Sequence, residues 1–210
     1  EIAGVNPQAG NYTTAAIDAS VSVAGPPLAT VRTYNSQDPR TDGGFGPGWS
    51  TLWDQKVVQD DDGTGNVVVT LADGRQVRFG RNVDGSYAPP PGERLDFVLD
   101  SGNWILRDPT GTRRLFSYPD GKLLKVIDAD GREQHYSYNS AGRLATVTDA
   151  ASGRALHLTW TGDRIASVST DSPGAGLAPL TWTYNSTDGR LTSACPTAST
   201  IVLHDTFDRT

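Results

Sequence analysis

Apolar and polar residues alternate along much of the chain in short runs, and glycine-containing turns separate these runs. The clearest case spans residues 128–147, where Tyr136 and Tyr138 lie two positions apart between turns at Gly131 and Gly142. In a strand that spacing places both rings on the same face, and glycine adopts the positive φ that a tight reversal requires. The pattern predicts a strand, a turn and a second strand.

The same sequence pattern recurs along the chain. A basic residue followed by a branched aliphatic residue comes after each predicted turn: Lys122-Leu123, Arg143-Leu144, Arg164-Ile165 and Arg190-Leu191. An aromatic residue precedes each turn by a few positions: Tyr118, Tyr138, Trp160 and Tyr184. A period of about 20 to 25 residues indicates a repeat architecture, in which each unit buries its apolar face against its neighbours. We therefore expect the four aliphatic residues to occupy equivalent buried sites, and the four aromatic residues to lie in the core.

These patterns predict an all-β protein with almost no helix, built from tandem antiparallel β-hairpins that form one continuous curled sheet. No sustained apolar run has helical spacing, and Val, Thr, Tyr and Trp are frequent. Residues 1–50 are interpreted as a cap-like region and residues 51–108 as degenerate hairpins. Residues 109–203 hold the regular repeats, and residues 204–210 begin a following segment.

The first half of the chain carries less regular strand signals. Strands are predicted at residues 20–24, 28–34, 49–59, 66–71, 75–80, 95–99 and 104–107. The fourth and fifth of these form a hairpin around Asp73-Gly74. A glycine-dense loop at residues 43–49 is expected to tuck an aromatic side chain against another surface.

Charge and hydropathy exclude two classes of partner. The net charge of −6 leaves no basic face for a phosphate backbone, so we expect neither nucleic acid nor an anionic membrane as a partner. No apolar run reaches the length of about 18 residues that membrane insertion needs. The chain contains no Met, and its last strand signal lies at residues 200–203. We therefore expect both ends of this sequence to lie inside a longer polypeptide. We also expect the last strand to have one edge without a hydrogen-bonded neighbour.

The sequence of one segment matches the first half of a calcium-binding loop. Asp60, Asp62 and Thr64 alternate before Gly65, as oxygen ligands do in such loops. In such loops one later position supplies a bidentate carboxylate, and here that position is Leu71, whose side chain has no carboxylate. A solvated hairpin turn is therefore the preferred interpretation.

The other candidates for metal binding or nucleophilic chemistry are isolated. Asp128 and Asp130 precede a glycine and are interpreted as turn residues. The histidines lack metal-ligand spacing and are expected at the surface: His135, His157 and His204. Cys195 has no disulfide partner, and we expect it to be a buried small apolar residue. A carboxylate pair for glycoside hydrolysis stays open as an alternative, although almost all acids fall in turns. We assign no catalytic, metal-binding or cofactor-binding residue and no cofactor.

Two parts of the sequence resemble known families. Gly10-Asn11-Tyr12, residues 32–36 (Arg-Thr-Tyr-Asn-Ser) and residues 46–50 (Gly-Pro-Gly-Trp-Ser) are similar to the N-terminal domain that precedes the repeats of Rhs proteins. Residues 136–144, in the order Tyr-x-Tyr-Asn-x-x-Gly-Arg-Leu, resemble the YD repeat of the Rhs and teneurin families. The resemblance implies a β-shell that curls into a hollow cocoon, with the N-terminal region as its cap.

The resemblance also implies a role. In the first hypothesis the chain is a non-enzymatic structural shell segment of a secreted or cell-surface bacterial protein. The shell encloses or presents a C-terminal domain, such as a toxin, and the principal partner is the downstream part of the same polypeptide. The second hypothesis is an extracellular module that binds a cell-surface glycan or a protein. An enzyme is the third hypothesis, and no constellation of residues supports it.

Overall fold

The computed structural model describes residues 2–6, 10–174 and 176–197, and these residues form β-strands without any helix, hence without a helix that could span a membrane. The predicted all-β class is confirmed. The strands in chain order are β1 (Ile2–Asn6), β2 (Asn11–Val21), β3 (Leu28–Asn35), β4 (Trp49–Thr51), β5 (Lys56–Gln59), β6 (Val67–Thr70), β7 (Gln76–Arg81), β8 (Tyr87–Ala88), β9 (Asp96–Asp100), β10 (Asn103–Arg107), β11 (Arg113–Ser117), β12 (Leu123–Ile127), β13 (Glu133–Tyr138), β14 (Leu144–Asp149), β15 (Ala155–Thr161), β16 (Arg164–Thr170), β17 (Thr181–Thr187) and β18 (Arg190–Thr197).

The strands form three antiparallel sheets. We call β1–β4 the cap sheet, β5–β8 the middle sheet and β9–β18 the repeat sheet. The repeat sheet is a ten-stranded meander in which each strand is hydrogen bonded to the next along the chain. The predicted tandem hairpins are therefore confirmed, and they join into one continuous open sheet over the second half of the chain. The division of the chain into four parts stays a prediction.

The repeat sheet has one apolar face and one polar face. Tyr136, Val147 and Leu156 lie opposite one another on β13, β14 and β15, and all three are buried. On the other face the hydroxyls of Thr159 and Ser167 are hydrogen bonded at 2.6 Å in an exposed position. Side chains of a strand alternate between its two faces, so this pattern turns the apolar face toward the cap and middle sheets.

A β-bulge lies near the turn in four hairpins of the repeat sheet. The register shifts fall at Leu115/Phe116, Ser137/Tyr138, Thr159/Trp160 and Asn185/Ser186. A bulge bends its strand and increases the local twist, so bulges at equivalent places favour a curled sheet.

The predicted equivalence of the aliphatic residues holds for three of the four. Leu123, Leu144 and Ile165 are buried, whereas Leu191 is only partly buried because β18 has a neighbouring strand on one side alone within the described chain. Among the aromatic residues, Tyr138, Trp160 and Tyr184 contact the core. The prediction for Tyr118 is wrong: its side chain is 47% exposed, and Phe116 fills the core at that place.

Several predicted strand bounds need correction. The predicted strand at residues 20–24 is the end of β2, and the predicted strand at 49–59 is two strands in different sheets. The break occurs because Asp54 folds back and its carboxylate accepts a hydrogen bond from the Thr51 amide at 2.6 Å. The hairpin around Asp73-Gly74 is confirmed as β6 and β7. The strand expected at residues 200–203 lies outside the described residues.

One apolar core joins the three sheets. Phe79 of the middle sheet stacks on Phe97 of the repeat sheet, with ring centroids 4.9 Å apart. Phe45, which follows the cap strands, packs edge-on against Tyr184 at 4.7 Å. Burial of such large aromatic side chains is a main source of folding free energy, so neither N-terminal sheet is independent of the repeats.

Candidate functional site

The candidate site is the contact between the cap sheet with its following loop and the apolar face of β13–β18, which we call the cap–repeat interface. The glycine-dense loop at residues 43–49 enters this contact, and Phe45 within it is 1% exposed. The amide of Ile165 donates to the carbonyl of Gly44 at 2.8 Å, so the loop also forms a main-chain hydrogen bond with the repeats. The predicted tucking of an aromatic from this loop is confirmed.

Two glycines of the loop are required by the close approach of the repeat sheet. A Cβ atom on Gly44 would lie 2.7 Å from Cδ1 of Ile165. Gly46 has a φ of +98°, and a Cβ there would collide with the carbonyl of Gly189 in the turn between β17 and β18. Only glycine combines the positive φ with the absence of a side chain at that point.

The arginine that follows one of the repeat turns also forms hydrogen bonds with this loop. Arg164 Nε donates to the carbonyl of Gly189 at 2.9 Å, within the repeat sheet. Its Nη1 donates to the carbonyl of Gly43 at 3.2 Å, and its Nη2 to that of Thr41 at 3.4 Å. The planar guanidinium has several donors in a fixed geometry, which suits it to bridging carbonyls from two chain segments.

A buried ion pair lies at the centre of the interface. Arg32 and Asp18 have side chains that are 8% and 3% exposed, with Nη2 of Arg32 2.9 Å from Oδ1 of Asp18. The hydroxyl of Tyr184 donates to Oδ2 of the same carboxylate at 2.9 Å. Burial raises the pKa of Tyr184 above its usual range, so that hydroxyl stays protonated as a donor. The Arg32 guanidinium also lies over the Trp49 ring, 4.9 Å from its centroid.

Two further contacts fix the cap over neighbouring repeats. Gln134 Nε2 donates to the carbonyls of Pro26 and Pro27 at 3.3 and 3.1 Å, and its Oε1 accepts from the hydroxyl of Tyr136. Arg154 Nη1 donates to the carbonyl of Ser22 at 2.9 Å. Sequence analysis gave no sign of these pairs, since their partners are main-chain carbonyls in an irregular loop.

Hydrogen bonds from aromatic side chains also connect successive repeats. The hydroxyl of Tyr138 donates to the carbonyl of Leu123 at 2.8 Å, and Nε1 of Trp160 donates to the carbonyl of Leu144 at 2.7 Å. Burial raises the pKa of Tyr138 above its usual range, which keeps the hydroxyl neutral. Each aromatic residue thus contacts the aliphatic signature residue of the preceding unit.

A cleft runs beside the interface. Two adjoining cavities of about 250 and 430 Å³ share Asp42, Trp53, Asp54 and Tyr138 in their lining. Loss of solvent raises the pKa of the Asp54 carboxyl to about 6, against the opposing effect of its hydrogen bonds from Thr51. Sequence analysis did not single out this carboxyl, because its desolvation comes from the packing of distant segments.

Two family models match the chain, one in its N-terminal part and one within the repeat sheet. The first describes a domain of unknown function, DUF6531, and matches residues 3–79, which include the cap sheet. The second describes the RHS repeat and matches residues 118–155, which include β12–β14. The chain thus contains an RHS repeat, and the two matches support the Rhs/YD-repeat family. The finer likeness to teneurins stays a prediction.

Curated relatives in three Bacillus strains match this Rhs chain with the same identity of 34% over 140 residues. They are the tRNA nuclease WapA of Bacillus subtilis strain 168, the tRNA3(Ser)-specific nuclease WapA of Bacillus spizizenii and the tRNA(Glu)-specific nuclease WapA of Bacillus subtilis subsp. natto. The match covers 67% of this chain and 6% of each relative. The Rhs chain is thus similar to a small part of much longer proteins.

The segment that matches the first half of a calcium-binding loop forms the predicted hairpin turn. Asp62 Oδ1 accepts hydrogen bonds from the amide and the hydroxyl of Thr64 at 3.0 and 2.6 Å. Nη2 of Arg78 lies 2.6 Å from Oδ2 of Asp60 and 3.5 Å from Oδ2 of Asp62. The turn and its neighbouring arginine occupy both carboxylates, and the absence of a calcium site stays a prediction.

The remaining sequence candidates are separate in space. Asp128 Oδ1 accepts hydrogen bonds from the amides of Asp130 and Arg132, which confirms the turn interpretation. His135 and His157 are partly exposed and pair with Glu133 at 2.6 Å and Asp171 at 2.8 Å, as expected for surface histidines. His204 lies outside the described residues.

The prediction for Cys195 is wrong. The thiol is exposed, because Cys195 stands opposite Thr183 on the solvent face at the edge of the repeat sheet. The cap–repeat interface is therefore not one of the candidate metal-binding or catalytic sites that were considered from the sequence. It is a structural contact, built from buried side chains and main-chain carbonyls, with an open cleft beside it.

Proposed function

We propose that this chain is the opening segment of a non-enzymatic β-shell in a secreted or cell-surface bacterial protein. One observation carries the proposal: the cap covers the apolar face of the repeat sheet, and the last strand described, β18, is paired on one side only. Within the described residues, β18 is hydrogen bonded to β17 alone. The main-chain groups on its other side are placed to receive the first strand of a following repeat.

The cap covers apolar surface that the repeats do not bury among themselves. Each unit of a repeat array buries apolar surface against its neighbours, and the face that stays open needs a different covering element. Here the covering is specific, because it uses the Phe45 contact with Tyr184 and the buried Arg32–Asp18 pair. The cap thereby closes the inner face of the shell over the later repeats of this segment.

The shell serves, in this proposal, to enclose or present a C-terminal domain of the same polypeptide. The curated relatives are named tRNA nucleases, and the match covers only 6% of their length. We place any such activity of the full-length protein downstream of this segment. The net charge of −6 and the scattered acids of this segment are unsuited to binding tRNA.

Analytical ultracentrifugation tests the open edge. The purified chain should self-associate as its concentration rises, because an unpaired strand edge recruits other strands. A longer polypeptide that includes the native next repeats should sediment as a monomer under the same conditions. The proposal is wrong if the short chain stays monomeric at all concentrations and the downstream residues neither dock nor become ordered.

A nuclease assay tests the non-enzymatic role separately. The purified chain incubated with tRNA should leave it intact, with or without divalent cations. Cleavage that co-purifies with the chain through two chromatographic steps would place chemistry in this segment and remove that part of the proposal.

A further inference from the structure

The cleft beside the cap–repeat interface carries an inference that goes beyond the shell role. We call it the interface cleft and define it by the lining residues Gln55, Trp53, Asp54, Tyr138 and Trp160. Its two lobes together have the size range of small-molecule sites, and both are open to solvent. Residues of the cap, the middle segment and the repeats meet there, so the cleft exists only when the cap is docked.

An acceptor without a donor lies in the wall of the cleft. Gln55 is 5% exposed, and its Nε2 donates to the carbonyl of Leu52 at 2.7 Å. That bond fixes the orientation of the amide, and Oε1 has no hydrogen-bond partner within the described chain. Buried acceptors in native proteins almost always have a partner, and the missing one must come from a molecule in the cleft that donates a hydrogen bond.

Aromatic rings supply the apolar part of the lining. The polar tips of Tyr138 and Trp160 are both bonded to main-chain carbonyls of the preceding repeat. Their rings, with that of Trp53, are therefore left as apolar surface in the lining. A ligand that fits must combine hydroxyl donors with a flat apolar face.

The charges of the cleft favour a neutral ligand. Lys56 is 2.5 Å from the Asp42 carboxylate, and Arg143 is 2.7 Å from that of Asp163. Each of these cations has its counter-ion within the lining, so neither lobe offers an uncompensated charge of this kind to an anion. The remaining acceptors are Gln55 Oε1 and the carboxyl of Asp54.

We propose that the interface cleft binds a neutral sugar. A sugar hydroxyl donates to Gln55 Oε1, a second hydroxyl donates to the Asp54 carboxylate, and the C–H face of the ring packs on Trp53 or Trp160. The shell role does not depend on this site, and the site needs only the docked cap.

Tryptophan fluorescence and ¹H–¹⁵N NMR of the intact chain test the proposal, with cellobiose and N,N′-diacetylchitobiose as neutral probes and digalacturonate as the acidic control. A neutral disaccharide should bind in the millimolar range and perturb the side-chain NH₂ signal of Gln55 and the indole signal of Trp53. The indole signal of Trp104, which lies in the core outside the cleft, should not move. Digalacturonate should bind more weakly.

A substitution localises the effect. Gln55→Met keeps the length of the side chain, removes the acceptor and should weaken binding about tenfold, as expected for one lost hydrogen bond. Gln76→Met makes the same change on an exposed strand and should leave binding unchanged. The proposal is overturned if neither neutral probe perturbs the wild-type Gln55 and Trp53 signals, or if folded Gln55→Met binds as tightly as the wild type. Neither result would alter the sedimentation behaviour that tests the shell edge.

Discussion

The hydroxyl of Tyr138 donates a hydrogen bond to the main-chain carbonyl of Leu123 at 2.8 Å, across the boundary between two repeats. One repeat later, the indole of Trp160 forms the same bond to Leu144 at 2.7 Å. A phenol and an indole thus serve the same purpose, because each is a large apolar ring with a donor at its tip. The aromatic residue of the repeat both fills the core and sets the register between units.

Replacing Tyr138 by Phe should destabilise the protein by about 1 to 3 kcal/mol, because the Leu123 carbonyl loses its side-chain donor while the ring stays in place. Urea unfolding measures the change. Tyr118→Phe is the matched control, and it should change stability by less than about 0.5 kcal/mol since that side chain is largely exposed. Equal effects of the two substitutions would show that the hydrogen bond does not couple the repeats.

Replacing Leu144 by Ala should cost about 2 to 5 kcal/mol, as the deletion of a buried leucine leaves a cavity. Leu191→Ala changes the same signature position at the edge of the sheet and should cost clearly less, since Leu191 is only partly buried. Thermal or denaturant unfolding of both variants gives the comparison. A melt of Leu144→Ala that matches the wild type would contradict the assigned register.

Replacing Gly46 by Ala should loosen the cap–repeat interface, because the new methyl group would collide with the Gly189 carbonyl. Gly92→Ala is the control: Gly92 has a similar φ of +90° and open space around it, so that variant carries the backbone strain alone. We expect Gly46→Ala to be the more destabilising by about 1 to 3 kcal/mol, within the range for overpacking. Limited proteolysis should then cut near the loop at residues 43–49 in Gly46→Ala only. Equal stability of the two variants would mean that the loop does not approach Gly189.

Stability should depend on pH through Asp54. Its pKa is about 6 in the folded protein because of desolvation, compared with an ordinary value near 3.9. Between about pH 4 and 6 the folded state holds a proton that the unfolded state releases, so this group's contribution to stability falls as pH rises through that range, by at most about 3 kcal/mol. Asp54→Asn should remove the contribution and gain stability relative to the wild type on going from pH 4.5 to pH 7. Parallel pH profiles of the two proteins in urea unfolding would contradict the raised pKa.

The hairpins could be predicted from sequence because their signals are local. Gly142 sits in the turn between Tyr138 and Leu144, so a few residues determine both the reversal and the faces that follow. The packing of the glycine-dense loop could also be predicted, since a large apolar side chain such as Phe45 in a flexible loop needs a surface that covers it.

The interface could not be predicted, because its parts come from opposite ends of the chain. Asp18, Arg32 and Tyr184 form one buried hydrogen-bonded group. The sequence pattern singles out Tyr184 and the segment of Arg32 separately, and nothing in it indicates that these side chains meet. The misplacement of Cys195 has a related cause. Burial at the end of a repeat array depends on whether a neighbouring strand is present, and a local pattern does not contain that information.

Hydrogen exchange tests the central claim, that the chain is the start of a sheet that continues. In a dilute, monomeric sample, the amides of β18 that point away from β17 should exchange at close to the rate of unstructured peptide, while those of β13 should be strongly protected. The β18 amides should gain protection in a polypeptide extended by its native downstream repeats. Uniform protection through Thr197 in the short, monomeric chain would contradict the claim, since it would show that the sheet is complete as it stands and that the chain is a self-contained module.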